Sequence, residues 1–144
     1  MMADLNVILK NNIFNNTGWG IDIDGWNNTI NVNTVKDNEN GIRIRNTYHT
    51  KIVENNFENN SIYLYLSGGN LITKNNFYRS HASFSITGNN HNIWTGNYWD
   101  KPRFLLKPIM GEIGQVLPGN NYIHRLPWMN FDWHPAQDPI TSQE

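Results

Sequence analysis

A repeat of 20–22 residues dominates this chain. Ile8, Ile30, Ile52, Ile72 and Ile93 follow one another at steps of 22, 22, 20 and 21. Three positions on, Asn11, Asn33, Asn55, Asn75 and Gly96 keep those steps. Two further on, so do Ile13, Val35, Phe57, Phe77 and Tyr98. A second set, Ile21, Ile42, Ile62 and Phe84, is followed two places later by Ile23, Ile44, Leu64 and Ile86. Apolar and polar residues alternate within each short segment, the period of a strand with one buried face. A repeat of this length is too short for two helices and a turn, and it suits one coil of three short strands. A leucine-rich repeat has a similar period, but no Leu-x-x-Leu-x-Leu pattern is present.

These spacings predict an all-β fold, a right-handed single-stranded parallel β-helix. It has about 4–5 coils over residues 1–100. Each strand would lie beside its copy at roughly 4.8 Å, so that Ile stacks on Ile in a continuous core. Composition agrees with this. Only 16 % of residues are charged, and 26 are Asn, a residue that favours turns and tolerates left-handed backbone. Aromatic residues make up 12 %, which argues against disorder. Asn11, Asn33, Asn55 and Asn75 are therefore read as turn residues whose amides bond to the copies above and below.

The period stops near Asp100. Residues 101–144 hold all six prolines together with Phe104, Leu105, Leu106, Ile109, Ile113, Trp128, Phe131 and Trp133. Proline avoids central strands, so this segment is expected to be a non-repeating cap over the last coil, with disorder from about Thr141. At the other end, residues 5–12 already read as part of a coil. Nothing before them covers Ile8, Ile21 and Ile23. That predicts a piece of a longer β-helix, or a homodimer paired through the uncovered coil.

The forms Asn-Asn-Phe-x-Asn-Asn (Asn55 to Asn60) and Gly-Ile-x-Ile (Gly41 to Ile44) resemble the parallel β-helix repeat family. That family includes NosD-like proteins and carbohydrate-binding and sugar-hydrolase β-helix domains. The resemblance spans residues 5–99. The stretches Asn97-Tyr98-Trp99-Asp100 and Phe131 to Ala136 look like the ending of Asn-rich β-helix proteins of archaeal cell surfaces. The resemblance implies a secreted or surface protein that binds or cleaves polysaccharide. For NosD itself it implies copper handling, yet this chain has no Cys and no Met or His cluster at ligand spacing. No metal and no cofactor are expected.

A net charge of −1 gives no electrostatic basis for binding nucleic acid or an anionic membrane. No apolar run approaches a membrane span, and Met1-Met2-Ala3-Asp4 does not read as a signal peptide. The five histidines are read as turn and cap residues. Trp19, Trp26, Trp94 and Trp99 fall near turns, and Trp128 and Trp133 fall in the cap; packing and sugar-stacking are both open to them.

The candidate site is the outward face of the second repeat set. Two rows are expected there: Asp22, Arg43, Tyr63, Ser85, and Asp24, Arg45, Tyr65, Thr87. Asp22, Asp24, Arg43, Arg45, Tyr63 and Tyr65 offer forks to hydroxyls or uronates and stacking faces to sugar rings. The alternative is a set of cross-strand ion pairs, Asp22–Arg43 and Asp24–Arg45. Catalysis by Asp22 and Asp24 is disfavoured, because the arginines would keep both carboxylates ionised and leave no proton donor. The reading is a non-catalytic, carbohydrate-interacting or structural module. Two alternatives stand beside it: a polysaccharide lyase, hydrolase or epimerase, and a stalk or adhesin spacer.

Overall fold

The computed structural model describes residues 4–87, 91–116 and 123–141. Coils of three strands succeed one another. The first holds β1 (Val7–Leu9), β2 (Asn12–Phe14) and β3 (Trp19–Asp24). The second holds β4 (Thr29–Asn31), β5 (Thr34–Lys36) and β6 (Asn40–Arg45). The third holds β7 (Lys51–Val53), β8 (Asn56–Glu58) and β9 (Ser61–Tyr65). The fourth holds β10 (Leu71–Thr73), β11 (Asn76–Tyr78) and β12 (His81–Thr87). A partial fifth has β13 (Ile93–Thr95) and β14 (Tyr98–Trp99). Every pairing between successive coils is parallel, which makes a β-solenoid of about four turns.

The core is the predicted column of rungs. Ile8, Ile30, Ile52 and Ile72 lie in register, and the last three are fully buried. On the second sheet Val35, Phe57 and Phe77 stack, with the two phenyl rings 5.1 Å apart. Ile21, Ile42 and Ile62 line the third face, beside Ile23, Ile44 and Leu64.

Two registers differ from expectation in the last coil. Ile72 pairs with Trp94, not Ile93, and Phe77 pairs with Trp99, not Tyr98. The rung after Asn75 is accordingly Asn97 rather than Gly96. A slip of one residue exchanges the two faces of a strand. Here it buries Trp94 and Trp99 at 1 % and 3 % exposure and leaves Ile93 at 58 %. The asparagine decides the register: Asn75 Nδ2 donates to Asn97 Oδ1 at 3.0 Å, a bond that glycine has no side chain to accept. A third difference lies one coil earlier, on β12, where Leu64 pairs with Phe84, and Ala82 takes the place beside Ile62. The outward rows thus continue through Ser83 and Ser85 rather than Ser85 and Thr87. A shift of two keeps every side chain on its own face.

Asparagine ladders hold the corners. Asn33 N and Nδ2 both donate to Asn55 Oδ1, and Asn55 does the same to Asn75 Oδ1. Each rung also returns a bond to the coil below, as Asn55 Nδ2 does to Ile30 O at 2.9 Å. The left-handed residue is not the ladder Asn itself but the one before it. Lys10, Val32, Glu54, Lys74 and Gly96 have φ of 55°, 53°, 55°, 53° and 66°. For a β-branched residue such as Val32 this conformation is strained. It persists because it turns the Val32 N–H along the solenoid axis onto Val53 O at 3.2 Å.

The segment after residue 100 is more regular than a proline-rich cap would be. β15 (Lys107–Val116) and β16 (Ile123–Asp132) form an antiparallel pair. β15 adds in parallel to β12, and β16 touches β13 at Trp94 and Asp132. The pair thereby joins the β1-side and β3-side faces into one eleven-stranded sheet folded over the end of the core. Pro108 precedes the β12-bonded part of β15, and Pro127 lies where β16 has a neighbour on one side only. Both positions spare the missing N–H. Ile109 and Ile113 seal the core. At Gly111 a Cβ would meet the Phe84 ring at 2.6 Å, so this strand passes close only because it is bare there. The chain then runs back along the second sheet, where Ile140 N donates to Asn76 Oδ1 at 2.7 Å. Of the tail expected from Thr141, residues 142–144 lie outside the described residues.

Candidate functional site

The parallel register puts the six predicted residues on one outer face. Asp22, Arg43 and Tyr63 form one row, and Asp24, Arg45 and Tyr65 the next. Asp22 and Arg43 form a two-pronged pair, with Nε to Oδ1 at 3.0 Å and Nη2 to Oδ2 at 2.5 Å. The expected Asp24–Arg45 pair is replaced. Arg45 also turns to Asp22, with Nε to Oδ1 at 3.2 Å, so one carboxylate receives two guanidinium groups. Asp24 instead accepts from Asn46 Nδ2 at 3.4 Å, and its Oδ1 is buried with no partner.

The Arg43 hydrogen bond holds the Asp22 carboxyl below its ordinary value, against the opposing effect of burial and with help from the Arg43 and Arg45 charges. Burial above all pushes the Tyr63 hydroxyl up. Because Asp22 is depressed in the folded state, its ionised form favours folding above pH 3.8, and that contribution disappears as pH falls through the lowered value. Asp22→Asn is therefore expected to lower stability by about 0.5–1 kcal/mol at neutral pH. The difference from the parent should close under acid, as read by thermal melts from pH 7 to pH 2.5. A gap that widens on acidification contradicts this account.

Sequence reasoning missed three members of the face. The Arg43 guanidinium lies 5.1 Å from the Trp19 ring centre. Glu112 follows Ser85 in the second row, and Arg125 bonds Glu112 while standing 5.7 Å over the Tyr65 ring. Nothing in the repeat pointed to Glu112 or Arg125, because both arrive on the hairpin. Apart from Asp24 Oδ1, the face is a chain of engaged groups: acid to arginine, arginine to aromatic ring.

A second site lies at the hairpin end. A cleft of about 500 Å³ runs between β13 and β16, walled by Trp94 and Asn130 and by His91, Trp128 and Trp133. The His91 and Trp128 rings are 6.4 Å apart and 21° from parallel. Trp133 is 62 % exposed. Behind the wall, in the core, Trp94 Nε1 and Asn130 Nδ2 are fully buried donors with no acceptor among the described residues. Such groups are uncommon in folded proteins. Among the described residues, no acidic or basic side chain lines the cleft apart from His91.

The described residues hold no group of three His, Cys, Asp or Glu that could bind a metal, and the chain has no Cys. Met110 and Met129 sit opposite one another on the hairpin, but two thioethers fall short of an ordinary copper ligand set.

Stacked parallel coils, Asn-laddered corners and a terminating hairpin define a β-solenoid repeat protein. Residues 1–103 match the model of the family described as NosD, periplasmic copper-binding protein, and the chain belongs to that family. No curated protein and no solved structure matches it. The copper in the family's description has no fitting donor set among the described residues.

Proposed function

We propose that this chain is a non-catalytic NosD-type module that acts outside the cytoplasm and binds neutral glycan in the aromatic cleft. The observation that carries the reading is the cleft itself, with stacked His91 and Trp128 and exposed Trp133. Flat aromatic faces suit the C–H faces of a pyranose ring. The absence of acidic, Lys or Arg side chains among the described lining residues favours a neutral sugar over a uronate. The family's periplasmic description supports a secreted or surface location.

The Asp22, Asp24, Arg43, Arg45, Tyr63 and Tyr65 face takes a structural part in this reading, because both arginine forks are already engaged by Asp22. A carboxylate held ionised by two arginines has no proton to donate to a leaving group, which supports a module without hydrolase chemistry. The test is a titration with cellotetraose and chitotetraose, followed by tryptophan fluorescence. Both parent and Arg43→Ala/Tyr63→Ala should bind, whereas Trp128→Ala should lose about tenfold, equivalent to about 1.4 kcal/mol. No binding by the parent, or loss in the Arg43/Tyr63 variant with Trp128→Ala unaffected, overturns the proposal.

A further inference from the structure

A cluster of cations lies where the last coil gives way to the hairpin, and the glycan reading does not use it. A cleft of about 330 Å³ is lined there by Arg79, His81, Asp100, Arg103 and Lys107. Arg103 belongs to the segment that follows β14, and Lys107 opens β15. Lys107 Nζ stands 5.4 Å from the centre of the Trp99 ring.

These cations differ in their partners. Arg79 is engaged, because its Nη2 donates to Glu58 Oε1 at 2.7 Å. Among the described residues, Arg103 and Lys107 have no carboxylate at ion-pair distance, and neither side chain makes a hydrogen bond. Lys10, Lys51 and Lys101 also lack an ion pair, but all three are exposed and water serves them. Arg103 and Lys107 are half-buried, and Arg103 Nε is buried without an acceptor. Burial holds the Lys107 ammonium below its ordinary value, and the Arg103 charge lowers it further. Two neighbouring like charges are thus drawn partly out of water, which costs stability unless a counter-charge joins them. Asp100, the acid of the described lining, is turned elsewhere, since its Oδ1 accepts from Arg79 N at 3.4 Å.

We propose that this cleft binds a tetrahedral oxyanion, phosphate or sulfate, between the Arg103 guanidinium and the Lys107 ammonium. The guanidinium offers a planar fork of donors to two oxygens, and the ammonium brings a point charge to a third. Two unpartnered cations match a doubly charged group, whereas a carboxylate would balance only one of them. The volume is at the small end for ligand pockets and admits the group as a free ion or as an ester on one sugar.

Thermal melts in sodium sulfate and sodium phosphate, matched for ionic strength with sodium chloride, test the site. At about 20 mM anion the parent should gain roughly 3–5 °C over chloride. Arg103→Gln breaks no hydrogen bond among the described residues and should lose that gain. By calorimetric titration with sulfate, Arg103→Gln and Lys107→Gln should each bind about tenfold more weakly, with Arg103→Lys in between. Asp100→Asn keeps an acceptor for Arg79 N and tolerates the left-handed backbone at φ 64°. It should bind sulfate about threefold more tightly, because a like charge leaves the lining. Glucose 6-sulfate and glucose 6-phosphate are titrated beside the inorganic ions, with glucose as the blank. Equal affinities assign the site to the free ion, and tighter binding of an ester assigns it to a modified sugar. Three results overturn the proposal: a gain no larger than in chloride, an equal gain in Arg103→Gln, or weaker binding by Asp100→Asn.

Discussion

Asp132→Ala should unfold this protein more readily than any other single substitution in the C-terminal pair of strands. Asp132 is fully buried. Its oxygens accept from Gly96 N, Asn97 N, Asn97 Nδ2, Trp99 Nε1 and His134 N at 2.8–3.3 Å. Alanine would strand Asn97 N and Trp99 Nε1 beneath the hairpin, while Gly96 N keeps His134 O and Asn97 Nδ2 keeps Ile72 O. Unsatisfied buried groups are individually expensive, and the expected loss is about 3–5 kcal/mol. That corresponds to a fall of roughly 10 °C in melting temperature for a chain of this size. Asp132→Asn keeps one acceptor oxygen and should lose less than half as much. Urea unfolding monitored by tryptophan fluorescence and circular dichroism measures both. A variant within 1 kcal/mol of the parent would mean that the hairpin, not its carboxylate, ends the ladder.

The second large effect lies in the middle of the same ladder, where the opposite chemistry applies. Asn55 is fully buried. Its Nδ2 donates to Ile30 O, Val53 O and Asn75 Oδ1, and its Oδ1 accepts from Asn33 N and Nδ2. Asn55→Ala should destabilise by about 3–4 kcal/mol, whereas Asn11→Ala, at the open end, should cost about 1 kcal/mol. Asn55→Asp should be worse than Asn55→Ala, because it would turn a second oxygen toward three acceptors. Asparagine is thus required where the ladder continues in both directions, and aspartate is suited where it stops. Equal losses at Asn11 and Asn55 would contradict the ladder as the stabilising element.

Much of the fold can be read from the repeat, because stacking converts a spacing of about one coil into contact. The rungs Ile8 to Ile72, Asn11 to Asn75 and Ile13 to Phe77 follow directly. The rows Asp22–Arg43–Tyr63 and Asp24–Arg45–Tyr65 follow from the same arithmetic. Reading fails where two adjacent residues compete for one interior place. Ile93 keeps the isoleucine pattern, but Trp94 takes the core because Asn97, three residues later, must meet Asn75. It fails again where a side chain chooses among partners within reach. Arg45 stands opposite Asp24 and nonetheless bonds Asp22. The aromatic cleft and the Asp132 terminus were hidden for a different reason. Both arise between a coil and a non-repeating pair of strands, so no period links Asn97 to Asp132 or His91 to Trp128.

The hairpin over the end of the core also bears on the order in which the chain can assemble. β15 and β16 are neighbours in sequence, whereas strands in stacked coils are brought together across a whole coil. Short closures form faster and with less entropy lost, so these two strands are readier to pair than the strands of neighbouring coils. Growth would then proceed backwards from that hairpin seed, each coil using the one after it as a template. A nascent chain halted before Asp132 should stay unstructured even with every coil already synthesised.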